Sequence, residues 1–408
     1  MTRLQVFLGV LSASLVLALG IEYDLYVGEP SSLEEPAARD IFGKWKRQHN
    51  KEYESDEEHE KRFQVFHDNM QYISAYNSRV KSHKLGLNSL ADNSHEEYQA
   101  TRLGHKPDET LQNKCEELPF AVKDVPEMVD WRKQNAVTSV KDQGSCGGCW
   151  AFSAVAAVEG IEAIYTGKTP VSLSPQEVID CDSDNHGCNG GVQAWAYLWI
   201  MKNGGITTED RYPFKEDTES CSTDKLADHV AQIDGCGVVP PDNETAFKLA
   251  VAQQPISVAV AAKQKAFQLY VSGVFDGDCD QFVDHGVTAV GYGTQGGQGY
   301  WLIKNSWNEH WGENGYMKIA MGVDAQEPGG KCAILSQPSY PVKHGNKPPS
   351  HFPPSPPQHI QCDMYSQCDS TQCCACTVSY PGLCVEYTCY ESSDSRCHSG
   401  FDAAHRAI

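Results

Sequence analysis

The chain has 408 residues, 40% of them hydrophobic, and its 54 acidic against 33 basic side chains give a formal net charge of -21 at pH 7. That length exceeds one compact domain and is apolar enough for real cores, so two or three folding units are expected. An acidic surface argues against nucleic acid and anionic membranes as partners.

Taken in chain order, residues 1–20 come first. Arg3 precedes an apolar run from Leu4 to Leu19, with Ala18 and Gly20 beside the expected cut. This pattern reads as a secretory signal. The run is short and Glu22-Tyr23-Asp24 follows it, which disfavours a membrane anchor, and no later segment reaches the length of a membrane span. Seventeen cysteines behind such a signal are expected to be mostly oxidised pairs. The odd total leaves at least one unpaired in a monomer.

Residues 21–124 are polar and helical in pattern. Residues 125–342 carry most of the Trp and Gly and alternate helical with strand-like runs. Residues 343–359 contain KPPSHFPPSPPQ, an extended spacer with no core of its own. Residues 360–408 hold eight Cys and few aliphatic residues, so that segment needs disulfides to fold.

Within residues 21–124, Glu58, Arg62, Phe66, Asn69, Ile73 and Asn77 recur at steps of four and three, which places them along one face of a helix. Gly86, Asn88, Leu90 and Asp92 form a second spaced group. Further on, Cys149 opens the buried-helix pattern Trp150 to Tyr165, where the positive helix end favours thiolate over thiol. His285 begins the strand-like run His-Gly-Val-Thr-Ala-Val, and Asn305-Ser-Trp307 ends another strand. A peptide carbonyl is a poor electrophile, so a thiolate with a proton-donating imidazole suits attack on it. Cys146-Gly-Gly-Cys149 also has the form of a thiol–disulfide oxidoreductase motif, a reading that leaves His285 and Asn305 without a role. Zinc ligation lacks a second ligand pair, and neither metal nor cofactor is expected.

Gln143, Cys149-Trp150, Asp284-His285 and Asn305-Ser-Trp307, in that order, resemble the papain family of cysteine proteases, and the two earlier groups resemble the inhibitory propeptide of its cathepsin L-like branch. The resemblance implies an α+β fold of two lobes, one helical and one barrel-like, behind a helical propeptide, with the peptidase domain at residues 125–342. It implies a secreted zymogen of an endopeptidase: Cys149 as nucleophile paired with His285, Asn305 orienting the imidazole, Trp307 shielding that bond, and Gln143 in the oxyanion hole. Substrate contacts carried over are Gly190, Gly191, Val192, Gln193, Ala259, Val283, Gly286 and Gln337. Implied disulfides are Cys146–Cys188, Cys181–Cys221 and Cys279–Cys332. The implied partners are peptide substrates, the chain's own propeptide and cystatin-like inhibitors, for a monomer in a lysosome, vacuole or the extracellular space. Asn243-Glu-Thr245 is a glycosylation sequon.

Two positions depart from the family pattern. Gly148 replaces Ser and is expected to leave slack beside Cys149; Asn308 replaces Gly where positive φ is expected. The tail's Cys-x5-Cys-x4-Cys-Cys resembles the start of a granulin module. Cys115 and Cys236 remain. They are expected to be separate unpaired thiols, with the propeptide lost entirely on maturation and the cleft unobstructed. The alternative is a Cys115–Cys236 tether, faintly similar to the mini-chain of cathepsin H and implying an aminopeptidase.

Overall fold

The computed structural model describes residues 35–80, 82–107, 115–116, 125–322 and 327–344, and the backbone of four strands beyond residue 359. The signal segment, most of the proline-rich spacer and the pairing of the tail cysteines lie outside the described residues. The chain divides into two units, Met1–Asn346 and Lys347–Ile408.

Two serines mark helix starts in the N-terminal part. Ser55 accepts the Glu58 N–H and opens α2 (Asp56–Asn77), whose first turn is acidic, as the helix dipole favours. Ser94 and Glu97 form a reciprocal cap at α3 (His95–Arg102). Phe63, Phe66 and Met70 of α2 pack on Phe42 and Trp45 of α1 (Glu35–Gln48), making a small separate core. The spaced polar residues of α2 grip the chain that follows. Arg62 donates to the Asp92 carbonyl at 3.0 Å, Asn69 to the Ala91 carbonyl at 2.8 Å, and Asn77 to the Leu85 carbonyl at 2.8 Å. That chain in turn docks on the rest of the molecule. β1 (His83–Leu85) pairs antiparallel with β5 (Tyr270–Phe275), and the Asn88 amide donates to the Gln268 carbonyl at 2.9 Å. Thus one face of a helix holds a loop, and the loop holds the sheet.

In the helical lobe, α4 (Cys149–Thr166) is buried nearly all round, as its apolar sequence requires. It packs on α5 (Pro175–Cys181) and α6 (Gln193–Asn203). The second lobe supplies eight strands of a nine-stranded sheet whose ninth is β1. Its further strands are β2 (Val129–Asp130), β3 (Gly235–Val238), β4 (Ile256–Val260), β6 (His285–Gln295), β7 (Gln298–Lys304), β8 (Tyr316–Ala320) and β9 (Ser339–Val342). Their order is β1-β5-β8-β7-β6-β4-β9-β3, with β2 beside β6. The lobes meet at α4, where Ser153 Oγ donates to the Val287 carbonyl at 2.6 Å and Thr288 Oγ1 donates to the Ser153 carbonyl at 3.2 Å.

Disulfides join Cys146–Cys188, Cys181–Cys221 and Cys279–Cys332, and Cys149 is the free cysteine among the described residues. A fourth bond joins Cys115 to Cys236, with Cα atoms 5.0 Å apart. This overturns the expectation of two separate thiols. The partners are 121 residues apart in sequence, and only the return of the propeptide along the outer side of β3 brings them together. The second unit holds two antiparallel hairpins, β10 (Ile360–Gln361) with β11 (Gln367–Cys368), and β12 (Gln372–Tyr380) with β13 (Leu383–Glu391).

Candidate active site

Cys149 is the first residue of α4, behind Gly148, and is fully buried. The loop before it is pinned by the Cys146–Cys188 bond and by a contact from the Gly147 N–H to the Cys188 carbonyl at 3.0 Å. No slack appears at Gly148, contrary to expectation: a Cβ there would meet the Ile179 side chain at 2.8 Å and the Cys146 sulfur at 3.1 Å. β6 and β7 are adjacent antiparallel strands with Thr288 opposite Lys304, so the start of one and the end of the other coincide. His285 and Asn305, 20 residues apart, therefore emerge side by side. The His285 Nε2–H donates to Asn305 Oδ1 at 2.8 Å, and Nδ1 makes no hydrogen bond among the described residues. The buried Trp307 ring stacks on the imidazole at 4.5 Å between centroids. One ring nitrogen is thus fixed and the other is left for proton transfer.

Gln143 is also fully buried and is held by its oxygen. Oε1 accepts from Ser306 Oγ at 2.7 Å and from the Trp307 indole at 3.2 Å. Its Nε2 donates to the Cys146 carbonyl at 2.8 Å and to the Arg102 carbonyl at 3.2 Å. Arg102 belongs to the propeptide, so a peptide carbonyl already rests against this donor. Asn308 has φ 58°, the left-handed conformation that Asn tolerates, and its amide donates to Asp142 at 2.8 Å.

The propeptide lies in the cleft as a main chain. Gly191 donates to the Gly104 carbonyl and accepts from the Lys106 N–H, both at 2.9 Å, with His105 in parallel register. Gly104 must be glycine, since a Cβ would lie 2.0 Å from the Gly147 oxygen. Gly190 departs from its expected role. It has φ 107°, and its own N–H and carbonyl bond to Gly187 and His186, so it gives room while Gly191 gives the hydrogen bonds. The His105 ring enters a pocket and meets Gln337 Oε1 at 3.0 Å. Ala259, Val283 and Ala333 form an apolar cluster at this end of the sheet. Gln193 is anchored by donating to the Val258 carbonyl at 3.1 Å, and Val192 is buried beside it. Gly286 lies against Gln193 and the Cys149 carbonyl, where a Cβ would be crowded at 2.9 and 3.1 Å.

Covering the cleft changes its electrostatics. Burial pushes the Cys149 thiol up to about 12, against the opposing N–H groups of Gly286, Trp150 and Gly104. Burial likewise pulls His285 down to about 3, although its bond to Asn305 works the other way. The thiolate–imidazolium pair is therefore disfavoured while the propeptide is in place, because desolvation outweighs the helix dipole. Burial also lowers two propeptide histidines to about 4. His49 faces His310, Lys51 and the Leu87 carbonyl; His105 faces Gln337, Gln193 and Lys106. Burial tends to raise Asp142, but Arg102 of the propeptide, 2.8 Å away, holds it below the usual carboxylate range.

These groups set the sign of a pH effect. Docked histidines with lowered pKa support docking fully above about pH 6.5, the free value, and lose that support as pH falls toward 4. Protonating Asp142 removes its ion pair in the same direction. The isolated propeptide is expected to inhibit the mature enzyme more than about tenfold less tightly at pH 4.5 than at pH 7. Inhibition constants measured across that range check this, and a flat profile contradicts it.

Some of the site was not found from the sequence. Ala333 was missed because it lies on a turn beside Cys332, both at positive φ. Ser306, inside the Asn305-Ser-Trp307 motif but with no role expected of its own, braces Gln143. The only available signal for His105 was its position 13 residues beyond Asp92, the end of the second propeptide motif.

Comparison with known proteins agrees with this geometry. A sequence profile described as papain family cysteine protease matches residues 125–342, and one described as cathepsin propeptide inhibitor domain (I29) matches residues 42–98. The chain is 42% identical to probable cysteine protease RD21B of Arabidopsis thaliana, over 97% of this chain and 87% of that protein. It is 41% identical to cysteine proteinase RD21A of the same plant, over 89% and 80%. Among solved structures, the proform of the ragweed pollen cysteine protease Amb a 11 superposes with TM-score 0.69 and 36% identity, covering 79% of this chain and 99% of that one. A recombinant stem bromelain precursor gives TM-score 0.70 and 37% identity, covering 76% and 99%. The fold, the occupied cleft and these matches together place the chain in the papain family of cysteine proteases, as a zymogen that carries its own inhibitory propeptide.

Proposed function

We propose that the mature part is an endopeptidase in which Cys149 is the nucleophile. The carrying observation is that a peptide main chain already occupies the cleft, with a carbonyl on Gln143 and its neighbours on Gly191. Once the propeptide leaves, water returns and the charged pair of Cys149 and His285 becomes accessible. Sγ attacks the scissile carbonyl, and Gln143 Nε2 with the Cys149 N–H receives the oxyanion. His285 gives its proton to the departing amine, leaving a thioester. It then takes a proton from water, which attacks the thioester and frees the acid and the thiol. Asn305 keeps the ring oriented throughout. The oxidoreductase reading loses its disulfide, since Cys146 is bonded to Cys188 and not to Cys149.

The tether at Cys236 does not turn the enzyme into an aminopeptidase on this reading. Cys236 lies three strands from β6, beyond β4 and β9, and five positions further along than the level of His285. Strand spacing and rise put it roughly 20 Å away. Activated enzyme is expected to cleave internal bonds of peptides with blocked N-termini, with loss of activity when a thiol-directed epoxide labels Cys149. Cleavage confined to free N-termini contradicts the endopeptidase reading.

We assign specificity chiefly to the side chain two residues before the cut, held by Val192, Gln193, Ala259, Val283, Gly286 and Gln337. Aliphatic and aromatic residues suit it. Arg does not, because a buried guanidinium without a counter-charge costs several kcal/mol. Gln337→Glu is expected to raise kcat/KM for Arg substrates at least about tenfold relative to Leu substrates; an unchanged ratio on a peptide library removes Gln337 from the pocket base. The chain is further read as a monomer passing through the secretory pathway, with cystatin-like proteins as external inhibitors of the open cleft. Asn243, exposed at a helix start, is its proposed glycan site.

A further inference from the structure

We propose that maturation leaves a piece of the propeptide permanently attached: a short peptide containing Cys115 stays disulfide-bonded to Cys236 as an added edge on the peptidase sheet. The inference rests on the proposed removal of the propeptide before Val125.

Cys115 lies between the two matched modules, after residue 98 and before residue 125. It therefore belongs to the connector that must be cut to free the enzyme. Yet its side chain is not at the surface. Cys115 and Cys236 are each 5% exposed, and both belong to the apolar cluster formed by α4, α5 and α6. The backbone is engaged as well. The Glu116 N–H donates to the Cys236 carbonyl at 3.0 Å, and the Val238 N–H donates to the Glu116 carbonyl at 3.1 Å. β3 is the last strand of the sheet order, so these bonds satisfy an edge that otherwise stays open.

Three consequences follow from this placement. Cutting the chain on both sides of Cys115–Glu116 cannot release the segment, because the sulfur bond replaces chain continuity. Attack by an external thiol is slow, because both sulfurs are covered. The rest of the propeptide has no such bond: among the described residues, its other links to the enzyme are hydrogen bonds, ion pairs and packing, and acid weakens those made by His49, His105 and the Arg102–Asp142 pair. One part of the propeptide is thus a removable inhibitor and another a retained structural strand.

The test uses full-length precursor activated at acid pH without added thiol and quenched with iodoacetamide. Intact mass is compared before and after reduction. The expected result is a mature enzyme that loses one peptide on reduction, that peptide containing Cys115, with Cys236 unalkylated beforehand. A mass unchanged by reduction, with Cys236 alkylated, overturns the proposal. So does a single mature chain that begins upstream of Cys115. The Cys115→Ser precursor is expected to mature without the extra peptide and to melt several degrees lower than wild type; an unchanged Tm with the extra mass still present also overturns it. If self-cleavage fails, the proposed function is at fault, not the tether. Limited digestion of the Cys149→Ala precursor by an added protease then reads the tether by itself: retention of the Cys115 peptide until reduction supports it, and its release before reduction overturns it.

Discussion

A Cys149→Ala precursor held at acid pH is expected to remain full length and to cleave no peptide substrate. Sγ is the atom that forms the thioester, and neither His285 nor Gln143 can replace it. The fall in activity should reach the assay limit, on the order of 10⁴-fold or more by comparison with other nucleophile deletions. Folding is not the obstacle. The thiol makes no disulfide, and the change removes one sulfur from a site framed by the Cys146–Cys188 bond. A trace of wild-type enzyme added in trans should convert the variant to the mature size, which shows that its processing sites are presented normally. Maturation of purified Cys149→Ala at the wild-type rate, with no enzyme added, would falsify the assignment of the nucleophile.

The second large effect is expected at Gln143. Its amide nitrogen is the donor and its oxygen is the anchor, accepting from Ser306 and Trp307. Gln143→Glu keeps an acceptor for those two groups and removes the donor. It also places a negative charge where the oxyanion develops. Loss of one such donor costs about 2.7–4 kcal/mol, or about 10²–10³ in kcat. The added charge should carry Gln143→Glu beyond that range, while Gln143→Ala should fall within it. KM should change little in either variant, because the bond strengthens as the oxyanion forms. A variant that loses affinity but keeps kcat would make Gln143 a ground-state binding residue. Epoxide labelling of Cys149 serves as a control, since that alkylation forms no tetrahedral oxyanion.

The motifs on α2 show what can be read locally. Arg62, Asn69 and Asn77 fall on one face because a helix repeats every 3.6 residues, and each finds a carbonyl on the chain that follows. The start of α4 at Cys149 was equally legible, from an unbroken run of small and apolar residues behind glycines. The positive φ at Asn308 was expected because Asn stands there in place of the family's Gly. For His285 and Asn305, order along the chain identified the residues, and strand register placed them within hydrogen-bond reach.

Other features had no local signal. The slack expected at Gly148 is absent because Ile179, from a different helix, fills the space. Gly190 and Gly191 looked alike in sequence, and only their backbone angles and partners divide room from hydrogen bonding. Burial pushes the Cys149 thiol up and His285 down, and Arg102, Gly104 and His105 of the propeptide lie beside them, a many-body effect that residue spacing cannot express. The Cys115–Cys236 bond is the clearest case. The sequence by itself determined the helix faces, the family of catalytic side chains and the presence of two leftover cysteines, because those depend on residue type and short-range periodicity. The tertiary structure alone decided that the two leftovers meet, because a bond across 121 residues depends on the path of the chain over the edge of a sheet.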